Sequence, residues 1–257
     1  MEEIVHVIPI NYEIDRAVKP FEKMKANKVY LLHSKRKISN ENEVDPEYFL
    51  QIVKKRLKNM NIEVITQESD IYDPLPLLST ISDIIAHEKK ENNLVYVNMS
   101  ASEKLTAVAS TLSAMYHNVK VYFVYNDGGY SKNEEELLEH GLSIVNEPNY
   151  FILTNFNIDI PVGAKTTFLV ELYKKGKMTT NDIIEMIKDN RLEGFEDLNE
   201  NIGGKQRTTS NLLVRINRGL LDGLQLNGYI RIEKKGRNKI IIITDKGRYA
   251  ACLIGHN

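Results

Sequence analysis

Cysteine is nearly absent from this chain. Cys252 stands alone, which excludes an intramolecular disulfide and a cysteine-based zinc cluster. No apolar run approaches the roughly 18 residues that a membrane-spanning helix needs. The acidic start, Met1-Glu2-Glu3, lacks the basic region of a secretory signal, so the expectation is a soluble, cytoplasmic protein with no membrane partner. There is no P-loop, no nucleophile elbow and no glycine-rich dinucleotide fingerprint. No spacing of acidic residues or histidines demands a metal. The expectation is no metal, no cofactor and no catalytic residue. Internal repeats and low-complexity tracts are absent as well.

What is present is enough for two modest cores. The 257 residues are 42% hydrophobic and 27% charged, a globular composition. The net charge of −1 hides a division. Residues 161–257 carry 17 Lys+Arg against 11 Asp+Glu, a balance of +6, and residues 1–160 carry −7. Within residues 201–257 the balance reaches +8, which suits a polyanionic partner.

The pattern changes at the same place as the charge. Strands at 3–10, 28–32, 62–66, 94–98 and 119–125 alternate with helices at 13–24, 46–60, 75–87 and 103–116, the first bent by Pro20. That alternation predicts a parallel, doubly wound sheet. Ligands of such sheets bind beyond the C-terminal strand ends, here including Ile10–Tyr12 and Asn98–Ser102. A further helix is predicted at 133–140, and 146–163 reads as a domain end and linker. Beyond Gly163 the order is helix 166–173, helix 181–188 capped by Thr180, a loop, helix 208–226, two strands around a basic turn, and a last helix 245–254. This is the order of a winged helix-turn-helix. The domains are therefore expected at 1–160 and 161–257.

Two segments carry the chemistry. Leu94–Lys104 reads as a buried strand running through Ser100, Ala101 and Ser102 into a helix whose inward stripe is Leu105, Val108, Ala109, Leu112, Met115 and Tyr116. Small residues let a ligand approach the backbone, the first helical N–H groups point at it, and Lys104 adds positive charge. In the helix at 208–226, Leu213, Ile216, Leu220 and Leu224 share one face. Asn211, Arg215, Arg218 and Asp222 share the other, with Thr208 beside them. Such side chains suit base edges in the major groove. Lys234, Lys235, Arg237 and Lys239 form a basic wing suited to phosphate. A solvated helix face with a charged hairpin is the plainer alternative.

With these residues in view, the chain resembles archaeal transcription regulators that join a CARF domain (CRISPR-associated Rossmann fold) to a C-terminal winged helix. The likeness is nearest to a haloarchaeal-type CARF-like family. Val5–Arg16 is similar to the first strand and turn of that family, Val95–Lys104 to its second motif, and Ile243–Arg248 to a strand-to-helix step of winged-helix regulators. The resemblance implies a CARF-like Rossmann sheet that forms a symmetric homodimer and binds a nucleotide second messenger such as cyclic oligoadenylate. It implies a pocket lined by Asn11, Tyr12, Asn98, Ser100, Ala101, Ser102 and Lys104. One departure is visible. The turn is Ser-Ala-Ser-Glu, without the usual glycine, and Glu103 sets a negative charge beside the phosphate position.

Several other polar residues stand near the strand ends or inside the apolar strands. His6 in its apolar strand is expected to be a hydrogen-bonded core residue. His33, at a strand end beside Ser34-Lys35-Arg36, faces the ligand or lies in a solvated loop. Asp15 and Arg16 orient each other or the pocket, and Asp70 and Asp73 lie on a loop over the ligand face. The functional expectation is a ligand-responsive, double-stranded-DNA-binding transcription regulator. Its alternatives are a metal-independent ring nuclease that uses Ser100, Ser102 and Lys104, and a ligand-independent DNA-binding protein.

Overall fold

A computed structural model describes residues 2–35, 44–195, 211–235 and 238–255. The chain divides between Ile158 and Asp159 into two compact units.

In the first unit, β1 (Ile4–Pro9), β2 (Lys28–His33), β3 (Glu63–Glu68), β4 (Leu94–Asn98) and β5 (Lys120–Val124) form the parallel part of one sheet. Its order is β3-β2-β1-β4-β5, the doubly wound order in which direction reverses between β1 and β4. Val5, Val7, Val29, Leu31, Val97 and Val121 are fully buried, as strands covered on both faces require. Helices α2 (Pro46–Asn59) and α3 (Pro74–Lys90) each open on an aspartate cap followed by proline. Asp45 accepts from Glu47 N, and Asp73 from Leu75 N, each at 3.0 Å. Helix α4 (Lys104–Tyr116) follows β4. The helix expected over 13–24 is instead a four-residue turn, α1 (Asp15–Val18), continued as a 3₁₀ turn over Lys19–Glu22. Pro20 has no N–H to continue the α ladder.

His6 is fully buried. Its Nε2 lies 3.1 Å from the Lys25 carbonyl and therefore donates, leaving Nδ1 to accept from the Tyr122 hydroxyl at 3.2 Å. Burial holds its pKa down at about 4.

Residues beyond β5 are more ordered than the sequence reading allowed. Within the stretch read as domain end and linker, β8 (Tyr150–Ile152) pairs antiparallel with β5. Short strands β6 (Gly129–Tyr130) and β7 (Ser143–Ile144) pair with each other and enclose α5 (Glu134–His140). This insertion docks on the β1–α1 turn through Gly141, which bridges to Glu13. Gly141 has φ +80°, and an added Cβ would lie 2.4 Å from Ile14 N and 2.7 Å from Tyr12 O. Gly141→Ala is expected to destabilise by on the order of 2–4 kcal/mol, from left-handed strain plus a backbone clash. Gly129 has φ +82° with open space around it, and Gly129→Ala should cost only the strain, ~1–2 kcal/mol. Urea midpoints for the two variants measure the difference.

The second unit contains α6 (Ala164–Lys175), β9 (Lys177–Thr179), α7 (Thr180–Asp189), α8 (residues 211–226), β10 (Ile230–Lys235), β11 (Asn238–Ile243) and α9 (Asp245–Ile254). Strands β10 and β11 pair antiparallel, and β9 adds to β11 as a third strand the sequence reading lacked. Strand β9 is three residues long, too short for an alternating pattern to show. The cap of α7 is Thr179, not Thr180, and forms a reciprocal box with Asp182. Helix α8 carries a π turn over Ile216–Leu221. The wider turn buries both Leu220 and Leu221, and Leu212 is buried at its start where Leu213 was expected. These leucines meet Phe168, Leu172, Met178, Ile183 and Ile241 in one core.

Candidate functional site

The doubly wound sheet opens at its switch point. A cleft of about 600 Å³ lies there, lined by Asn11, Tyr12, Ile71, Tyr72, Glu103, Lys104 and Leu105. Asn11 follows β1, and Asn11 N donates to Ala101 O at 3.2 Å, tying the two strand ends together. The Asn11 side chain is almost wholly buried. Its Nδ2 donates to Glu103 Oε1 at 3.3 Å, and its Oδ1 accepts from the Tyr72 hydroxyl at 3.4 Å. Glu103 sits at the N-cap of α4 but makes no side-chain cap bond, and Lys104 beside it is exposed. A carboxylate and an ammonium thus share the mouth of the cleft with an amide, two phenols and two aliphatic side chains.

The predicted site residues separate into two layers. Asn11, Tyr12 and Lys104 line the cleft. Asn98, Ser100, Ala101 and Ser102 are not among its lining residues and build the turn behind it. Asn98 Oδ1 accepts from Ser100 N at 2.8 Å and from Ser100 Oγ at 2.7 Å, and Asn98 Nδ2 donates to Arg16 O at 2.9 Å. Ser100 Oγ in turn accepts from Val124 N at 3.0 Å. Ala101 is fully buried in the core, and Ser102 is half-buried with its Oγ 3.4 Å from Thr106 Oγ1. Small residues are needed here for packing and turn geometry. Asn98→Ala should cost on the order of 2–3 kcal/mol, because it orphans the buried Ser100 N and Arg16 O, with thermal denaturation as the readout.

The structure adds Ile71, Tyr72, Glu103 and Leu105 to the lining. Tyr72 belongs to the Asp70–Asp73 loop that the strand-end argument had placed over this face. Asp70 accepts from Tyr72 N at 3.0 Å, and Asp73 is the α3 cap, so both acids shape the loop. His33 and Ser34 border a small adjoining cavity of about 10 Å³ that shares Asn11, Ile71 and Tyr72 with the cleft. Leu105 and Val108 were expected to face the core but are 57% and 53% exposed. The inward positions of α4 are taken by Thr106, Ala109, Ser110 and Ser113, small side chains that let α4 lie close to α3.

Glu13 and Asp15, in and after the β1–α1 turn, form a buried acidic network. The Glu13 carboxylate accepts from Ser143 Oγ at 2.7 Å and from Ser143 N at 3.1 Å, and lies 3.5 Å from Arg16. Burial outweighs these contacts and pushes its pKa up to about 7. Asp15 accepts from Val145 N at 3.0 Å and pairs with His140 at 2.9 Å, and burial raises its pKa too.

In the second unit, α8 presents Asn211, Arg218 and Asp222 as exposed residues. Arg215 is half-buried. It donates to the Gly194 carbonyl, and its guanidinium lies 5.3 Å over the Phe195 ring. On the wing, Lys234 is exposed, while Lys239 donates to Asn217 Oδ1 at 3.0 Å and so binds β11 to α8. Lys235 lies in β10. Thr208 and Arg237 lie outside the described residues.

Residues 4–128 match the family model described as "HFX_2341_N:-like, N-terminal", and residues 164–255 match the DUF6293 C-terminal winged helix domain. The chain joins an HFX_2341_N-like N-terminal domain to a winged helix domain. The second match covers the whole helix–strand–helix–helix–wing unit from α6 to α9. The chain is 27% identical over 221 residues to the uncharacterized protein MJ1513 of Methanocaldococcus jannaschii, an alignment covering 77% of this chain and 64% of that protein. Solved structures that align with this chain include Enterococcus italicus Csm6 bound to cyclic hexa-2'-fluoro-hexa-dAMP, at TM-score 0.46 and 11% identity, covering 88% of this chain and 58% of that one. Can2 from Sulfobacillus thermosulfidooxidans in complex with cyclic tetra-adenylate gives 0.41 and 13%, covering 96% and 63%. Among the described residues, no helix is long and apolar enough to cross a membrane.

Proposed function

We propose that this protein is a homodimeric, ligand-responsive transcription regulator. Its first unit senses an anionic nucleotide of the cyclic oligoadenylate class, and its winged helix binds double-stranded DNA. The observation that carries the reading is the winged helix domain, in which Asn211 and Arg218 on α8 and Lys234 on the wing stand exposed in a basic segment. The switch-point cleft supports the ligand half, because Lys104 and the N-terminus of α4 offer positive potential beside Asn11. Asn98, Ser100 and Ala101 support the same site from behind by fixing the turn. Leu105 and Val108 support the dimer, because exposed apolar residues beside the cleft on α4 suit the same face of a second copy.

Calorimetric titration of the full chain with cyclic tetra-adenylate tests the ligand half. Saturable binding at one ligand per two chains, weakened at least tenfold in Lys104→Ala, is the expected result. Absence of binding to cyclic tetra- and hexa-adenylate alike would remove the ligand class and leave the DNA half standing.

A further inference from the structure

Three loops at the C-terminal edge of the sheet converge on one mostly buried side chain outside the cleft. Arg16, in α1, is 12% exposed. Its Nη1 lies 3.4 Å from the Ser100 carbonyl in the β4–α4 turn and 3.5 Å from Glu13 in the β1–α1 turn. Its Nη2 donates to Asn126 Oδ1 in the β5–β6 loop at 3.1 Å, and its guanidinium lies 5.2 Å over Phe123. Asn126 Nδ2 continues to Gly129 O at 3.3 Å, and Glu13 continues to Ser143, so both strands of the α5 insertion end on the same cation. The Arg16 main chain is held as well, by Asn98.

We infer that Arg16 is the positioning residue of the Ser100–Glu103 turn, and that through Glu13 and Asn126 it couples the order of that turn to the α5 insertion. The inference rests on the reading of this turn as part of the ligand site. The chemistry requires a guanidinium. A planar fork with several donors can serve acceptors in three directions, whereas a lysine ammonium is a point charge on a single stem. A group that merely filled space, or merely neutralised Glu13, would be replaced adequately by lysine. The network is cooperative, because each partner of Arg16 is itself held by the loop it belongs to.

The test compares Arg16→Lys, Arg16→Gln and Glu13→Gln in the full chain. Hydrogen exchange is followed in peptides covering residues 99–105, 125–131 and 141–146, alongside titration with cyclic tetra-adenylate. The expected result is that Arg16→Lys and Arg16→Gln speed exchange in the first two peptides together, by tenfold or more. Peptides from β2, α2 and the winged helix should keep their protection. Glu13→Gln should speed the third peptide and, through Arg16, the first. Affinity for cyclic tetra-adenylate should fall with the protection of residues 99–105. Wild-type exchange at 99–105 in Arg16→Lys would overturn the inference, as would uniform loss of protection across the first unit. If the wild type binds no cyclic tetra-adenylate, the ligand reading fails while the exchange pattern still decides the role of Arg16.

Discussion

Arg218→Ala combined with Lys234→Ala is expected to weaken binding to a random 30-base-pair duplex by about 10- to 100-fold at physiological salt. It should also flatten the dependence of log K on log salt by about 2. Each exposed cation that neutralises a phosphate releases counterions and contributes roughly 0.9 to that slope. Both side chains are exposed in the described structure, Arg218 on α8 and Lys234 on the wing. Arg215→Ala should behave differently. That guanidinium is committed to Gly194 and Phe195, so its loss should lower stability with little change in slope. Lys239 is similarly engaged with Asn217. Fluorescence anisotropy at four salt concentrations, with urea denaturation of each variant, separates the two behaviours. An unchanged slope in the double variant would remove α8 and the wing as the DNA-facing surface.

Stability should be greatest on the acid side of neutrality, and Glu13→Gln should change the shape of the profile. The Glu13 pKa is raised by burial from 4.5 to about 7, so the native state holds a proton that the unfolded chain has released. Its contribution is fully present below pH 4.5 and is lost as pH rises through about 7. His6 has the opposite sign. Its pKa is lowered from 6.5 to about 4, so its contribution is present above pH 6.5 and is lost as pH falls toward 4. Each shift corresponds to about 3 kcal/mol over its window. Between pH 4.5 and 6.5 the two slopes largely cancel. Above 6.5 the Glu13 loss stands without the His6 gain; Asp15, whose pKa is also raised by burial, acts in the same direction as Glu13 from pH 3.8 upward. The stability difference between wild type and Glu13→Gln should therefore move by about 3 kcal/mol from pH 4.5 to 7 and stay flat above pH 8. A difference independent of pH would mean that folding leaves the Glu13 pKa unshifted.

The parts of this architecture legible in the sequence are those with long periodic signals. The five parallel strands and the helices α2, α3 and α4 were visible because short apolar runs between turn signals mark strands and amphipathic helices keep a 3.6-residue period. Strands β8 and β9, three residues each, are too short to carry a period and emerge only through pairing with β5 and β11. The apolar stripe on α4 gave Ala109 and Met115 their inward place but misplaced Leu105 and Val108. Periodicity marks apolar positions, not what covers them.

The candidate site was legible by topology and obscure in detail. The strand-end rule brought Asn11 and Tyr12, and the helix-opening turn brought Lys104, to one cleft. It could not separate residues that line the cleft from those that build the turn. Asn98 and Ser100 have the composition of a binding loop, yet their polar atoms are occupied by one another, by Arg16 and by Val124. Tyr72 carries no such signal, because its loop stands out in the sequence by its acids, Asp70 and Asp73, rather than by the phenol between them. The role of Arg16 depends on contacts with residues 84 and 110 positions away, which no local pattern records.

The account turns on coupling between nucleotide and DNA. Its most direct test is the affinity of the full chain for DNA selected from a random duplex library, measured with and without saturating cyclic tetra-adenylate at fixed salt. A change of fivefold or more in either direction, absent in Lys104→Ala, is the expected result, because a ligand that prefers one dimer arrangement must shift the other equilibrium by the same factor. Superimposable DNA-binding curves, with calorimetry confirming that the nucleotide is bound, would contradict it.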